Sequence, residues 1–175
     1  MFDYISQGPP TQQVPGASSY ALAADVTNGS LYVGNGAGLW KPAGGGLVAS
    51  LSLTGQTSAS NVNSLYTPTA STTGMYILDW YTKLTTTGTS PVLGPFVVTY
   101  KDAVDNTSQS VTAAGQTQAG ANATSLTATT TAQILSGSLV FNAGSAAAIS
   151  TTLTVSGTIG AAVYELYLRL EFLGS

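Results

Sequence analysis

The sequence contains neither cysteine nor histidine. Without imidazole or thiol it has no histidine acid–base pair, no cysteine nucleophile, no disulfide framework and none of the usual zinc ligands. Charge is scarce as well. Four Lys or Arg and seven Asp or Glu make up 6% of the 175 residues, against about 25% in an ordinary soluble domain. A net charge of −3 with four basic residues leaves too few cations to displace the counterions of a nucleic acid, so no nucleic-acid partner is expected. Long apolar runs are missing too. The most apolar stretch, 161–173, is interrupted by Glu165, Arg169 and Glu171, so no membrane-spanning helix and no membrane partner are expected. Met1-Phe2-Asp3-Tyr4-Ile5 lacks the basic start and apolar core of a secretory signal.

What is present is small and uncharged. Gly, Ala, Ser and Thr together make up roughly half of the chain, and threonine favours strands. The chain is 43% apolar and carries nine Tyr, four Phe and two Trp, which argues for packed structure rather than disorder. The length suits one domain with its own core plus an attached segment.

Residues 1 to about 20 predict an extended arm. Gly8-Pro9-Pro10 and Val14-Pro15-Gly16 exclude a helix, and each proline pushes the residue before it toward extended backbone. Phe2, Tyr4 and Ile5 give the arm apolar anchors suited to another subunit or a partner protein. Residues 20–46 predict a small hairpin: Asn28-Gly29 and Asn35-Gly36 flank Leu31-Tyr32-Val33, and Leu39-Trp40 follows. Asn-Gly accepts the positive φ of a tight hairpin turn. A lone hairpin is marginal in water, so Tyr32 and Trp40 are expected to pack it against the main domain or its copies. Gly44-Gly45-Gly46 marks a hinge, which divides the chain into 1–46 for attachment and 47–175 as a β domain.

From 47 onward the pattern has period two. Tyr164, Leu166, Leu168, Leu170 and Phe172 share one face, opposite Glu165, Tyr167, Arg169 and Glu171. Such alternation predicts a long half-buried strand inside its sheet. Tyr76, Leu78, Trp80 and Leu84 likewise oppose Asp79, Tyr81 and Lys83. Further strands are expected at 47–53, near 65–66, at 96–100, 107–112 and 137–141, and at 149–155 with Ile149, Leu153 and Val155 inward. Seven or eight strands over about 125 residues fit an antiparallel β-sandwich of jelly-roll type. The stretch 113–131, nearly all Ala, Gly, Ser, Thr, Gln and Asn, reads equally as a polar loop or a weak edge strand.

No catalytic or ligand-binding pattern emerges. Asp102, Asp105 and Asn106 are turn residues, too few in carboxylates for a calcium loop. Glu165 and Glu171 are roughly 20 Å apart along a strand, too far for a glycosidase pair. Gly34-Asn35-Gly36-Ala37-Gly38 opens no helix and has no following Lys-Ser, so it is a turn rather than a phosphate loop. No motif surrounds Lys41, Lys83 or Lys101 that would activate a serine or threonine. The expectation is a protein without enzymatic activity, metal or cofactor. A sheet surface with so few charges lacks the usual guards against edge pairing, and a symmetric oligomer is expected.

Two groups of residues carry a resemblance. The segment Ala24-Asp25-Val26-Thr27-Asn28-Gly29-Ser30-Leu31-Tyr32-Val33, with Leu39-Trp40, is similar to segments of fibre and decoration proteins of tailed-bacteriophage virions. The pattern of Leu65-Tyr66-Thr67-Pro68, Gly74-Met75-Tyr76, the stretch from Gly137 to Gly144, and the strand from Tyr164 to Phe172 resembles phage structural domains. More distantly it resembles the trimeric jelly rolls of the C1q and tumour-necrosis-factor type. The resemblance implies a homotrimer on the outer capsid surface of a virion, with its N-terminal part on the major capsid protein. It lacks a coiled-coil shaft, which favours a compact knob. A receptor- or carbohydrate-binding module of a phage tail, and a self-assembling bacterial surface protein, are the alternative readings.

Overall fold

In a computed structural model the described residues are 4–6, 22–27, 30–34, 40–42, 46–127, 131–145, 147–158 and 162–174. The N-terminal part forms a four-stranded sheet in the order β1 (Tyr4–Ser6), β2 (Leu22–Asp25), β3 (Ser30–Gly34), β4 (Trp40–Pro42). Strands β2, β3 and β4 run antiparallel to their neighbours, as the hairpin pattern predicts, while β1 lies parallel to β2. Tyr4 and Ile5, expected in an extended arm, therefore pair with Ala23 and Ala24 of their own chain. Phe2, both Asn-Gly pairs and the Gly44-Gly45 part of the hinge lie outside the described residues. Strand β4 packs near the short helical turn Ala70–Thr72 of the β domain.

The β domain is an antiparallel sandwich. Its long strands are β5 (Gly46–Gln56), β6 (Ser60–Tyr66), β7 (Gly74–Thr86), β8 (Ser90–Lys101), β9 (Ser108–Ala113), β13 (Ile134–Ala143), β14 (Ile149–Thr158) and β15 (Val163–Gly174). Between β9 and β13 lie the short β10 (Gly115–Thr117), β11 (Asn122–Ala123) and β12 (Leu126–Thr127). The long strands pair as nested couples: β8 with β9, β7 with β13, β6 with β14 and β5 with β15. Alternate couples fall in opposite sheets, so the chain forms one doubled ribbon rolled into two layers, the jelly-roll arrangement. One sheet runs β11-β10-β13-β7-β15-β5, the other β12-β8-β14-β6 with β9 also on β8.

Alternation decides what the layers bury. From the six-stranded sheet come Tyr76, Leu78, Trp80 and Leu84, then Leu135 and Phe141, and the row from Tyr164 to Phe172. The facing sheet supplies Leu93, Phe96, Val98, Ile149 and Leu153. Val155, expected inward, packs against this core after a register shift that follows Leu153. The piece expected near 65–66 is a seven-residue strand, β6, whose Asn61, Asn63 and Ser64 face solvent and hide its alternation. The polar stretch 113–131 contributes short edge strands, because it offers little apolar surface to extend them.

Gly94 shows how closely the layers' edges are fitted. Here β8 exchanges one edge partner for another, from Leu126 opposite Leu93 to Ala113 opposite Phe96. Gly94 has φ +108°, and a Cβ there would lie 2.5 Å from the carbonyl oxygen of Thr124. Only glycine fits that conformation and that space.

Candidate functional site

The outer face of the six-stranded sheet gathers most of the domain's chemistry. Residues between the buried positions of β7 and β15 point outward, and antiparallel register aligns them in rows. One row reads Val140, Ile77, Glu171, Leu47; the next reads Ser138, Asp79, Arg169, Ser50. The third runs across all six strands as Asn122, Gln116, Ser136, Tyr81, Tyr167, Ser52, and the fourth holds Ile134, Lys83 and Glu165. Of the chain's eleven charges, counted as four basic and seven acidic, Asp79, Lys83, Glu165, Arg169 and Glu171 all stand here.

Local contacts order this face. The Tyr81 and Tyr167 rings lie 5.8 Å apart, tilted by 55°. Tyr167 donates its hydroxyl to Glu165 Oε2 at 3.1 Å, and that bond to a carboxylate holds its phenol above the usual range. The Ser138 hydroxyl donates to Asp79, and Arg169 is ion-paired with Glu171. At one end the same face turns apolar. Leu47, Met75, Val140 and Leu173 are between 40% and 51% exposed, and they cluster around the first row.

A cleft opens at the other end of this face, over β10 and β13. Its walls are Asp79, Gln116, Asn122, Ser136 and Ser138, and its floor is the backbone of Gly115 and Gly137, with the buried Trp80 indole packed beneath it on the core side. The floor is sunk because the two glycines let backbone rest directly on the ring. A Cβ at Gly115 would come within 2.7 Å of Trp80, and one at Gly137 within 3.0 Å of Trp80 Nε1. Below, the indole stacks on Phe96 at 4.7 Å and 20°. Trp80 Nε1 is buried without a hydrogen-bond partner, a state that costs about 1–3 kcal/mol when nothing accepts from it.

Elsewhere the expected chemistry is structural. Asp102 accepts from the Val104 amide at 2.7 Å, and Asp105 accepts from the Thr107 amide and hydroxyl at 3.0 and 2.7 Å. The Thr107 bonds hold the Asp105 carboxyl below its usual range, and both carboxylates brace the β8–β9 turn. Among the described residues no group of three His, Cys, Asp or Glu gathers to hold a metal. Tyr32 sits in β3 opposite Ala23 and Pro42, and Trp40 pairs with Gly34 in β4. Sequence reasoning missed the cleft. Its signal was available in Gly137, an isolated glycine inside a strand and between two serines, which marks a close backbone approach.

No known protein family matches the chain, and no curated protein matches it. Among solved structures, it is similar to part of xylanase 10B from Clostridium thermocellum, a chain of CBM22-1 and GH10 modules complexed with xylohexaose. That likeness has 15% identity and a TM-score of 0.33, over 67% of this chain and 19% of that one. A second is a chain from Bacillus endospore appendages, described as disulfide-linked pili, at 18% identity and a TM-score of 0.32 over 75% of this chain and 88% of that one. The fold assignment rests on the strand pairing above.

Proposed function

We propose that this chain is a non-enzymatic structural protein of a phage virion, a homotrimeric knob that decorates the outer surface of the head. Its N-terminal part would bind the major capsid protein, and its sandwich would associate with two copies of itself. The observation that carries the reading is the outer face of the six-stranded sheet. In a chain with few charges, that face combines an exposed apolar end with matched acidic and basic residues in adjoining rows. Large exposed apolar patches on small domains mark association surfaces, and a second copy brings complementary charges of its own. The lack of histidine and cysteine, and of any motif that would activate the chain's many hydroxyls, supports the non-enzymatic part.

The test is gold-labelled antibody against the chain on gradient-purified particles, viewed by electron microscopy and paired with sedimentation equilibrium of the free protein. Label spread over heads and a trimer mass are expected. Soluble protein with unlabelled particles defeats the virion reading. A second reading, a receptor- or carbohydrate-binding module of a phage tail, is favoured by the polar cleft over Trp80 and predicts label at the tail tip.

A further inference from the structure

We infer that the cleft over Trp80 is a binding site for a neutral, hydroxyl-rich ligand, one residue of a saccharide chain. The inference stands on the cleft alone and holds whichever particle, if any, carries the protein. The wall chemistry selects the class. Among the described residues of the lining Asp79 is the only ionisable one, so a phosphate, sulfate or carboxylate ligand would meet a like charge in the wall. Gln116, Asn122, Ser136 and Ser138 offer both donors and acceptors, the pattern that matches hydroxyls able to give and take a hydrogen bond at once. An apolar ligand would leave these groups without partners.

Two further features fit a sugar. The cleft is about 570 Å³, inside the roughly 300–1,000 Å³ range of small-molecule sites, and it is open on one side, as a chain of residues requires. Tyr81 follows Ser136 in the same row, which sets an aromatic ring beside the rim for an apolar sugar face.

The experiment uses the full chain and reads binding by titration calorimetry. Neutral oligosaccharides (xylo-, cello-, manno- and chito-oligomers) are titrated into it, with heparin as the anionic control. The expected result is saturable heat of binding from at least one neutral series and none from heparin. Asn122→Ala and Gln116→Ala, both at exposed positions, should each weaken binding by about tenfold with an unchanged melting temperature. The inference is overturned if no neutral series binds at millimolar concentration, if heparin binds instead, or if both variants bind as the parent does. Loss of virion labelling with retained sugar binding would remove the decoration reading and leave this one intact.

Discussion

On the six-stranded sheet, a line drawn outward from β13 to β5 meets Ser138, Asp79, Arg169 and Ser50. On the five-stranded sheet, the equivalent line from β9 to β6 meets Thr112, Val97, Thr152 and Asn61. Its neighbouring line holds Ser110, Thr99 and Ser150, and Ser150 donates to the Asn63 carbonyl at 2.7 Å. Both sheets bury the same kind of aliphatic and aromatic rows. They differ in what the alternate positions carry. One outer face holds charges, tyrosines and exposed aliphatics. The other holds mostly hydroxyls and amides, with Val97 among them and Lys101 at its margin. Sandwich stability therefore asks nothing particular of either outer face, and the concentrated chemistry on one of them points to recognition.

The largest effect should come from breaking the apolar end of the charged face. Leu47→Lys with Val140→Lys brings like charges together between copies, at several kcal/mol. For the proposed trimer, the expected outcome is a fall to single-subunit mass in sedimentation equilibrium. Thr112→Lys with Thr152→Lys on the opposite face should leave the trimer mass unchanged. Dissociation of that control instead would move the association surface to the five-stranded sheet.

Inside the sandwich the same contrast becomes one of packing. Leu168→Ala, beneath the charged face, should lose about 2–5 kcal/mol in urea unfolding. Thr151, beneath the hydroxyl face, is buried with an unpartnered Oγ1. Thr151→Val should gain about 1 kcal/mol by removing that group. A loss there would mean that a buried water or ligand serves the hydroxyl.

Alkaline pH separates the layers in another way. Burial pushes the Tyr164 phenol from its ordinary 10.0 up to about 12, and its hydroxyl donates to the Ser58 carbonyl at 2.6 Å. Burial raises Tyr76 as well. The folded state thus keeps these protons longer than the unfolded chain does. Their contribution is whole below pH 10 and is lost as pH climbs through about 12. Circular dichroism should show the fold weakening across that window, and Tyr164→Phe should flatten the slope. The smallest effect belongs to the Arg169–Glu171 pair. With the arginine 62% exposed, Arg169→Gln should change stability by less than about 1 kcal/mol.

Much of this architecture was legible before any coordinates. The alternation of β7 and β15 named their buried and exposed faces correctly because each strand is long and flanked on both sides. Where strands are short or polar, as at β6 and β10–β12, packing against distant neighbours decides the outcome and local pattern says little. The rows of the outer face were hidden for another reason. Asp79 and Arg169 oppose each other, yet they lie far apart in sequence, and only the nested pairing brings them side by side. The Trp80 cleft depends on Gly115, Gly137 and Asn122 meeting across three strands, and no single segment contains it.

The nested pairing also sets an order of events during synthesis. Strand β15, the last of the fold to be made, lies between β5, the first of the sandwich, and β7. Until residues near 172 leave the ribosome, the earlier strands lack the neighbour that joins them and the row that closes their core. Such non-local closure is slow, and incomplete chains expose apolar strands in the meantime. Truncated copies should therefore be cleared or aggregate rather than accumulate as partly active protein. Any assembly that these subunits enter would be stocked almost wholly with finished ones.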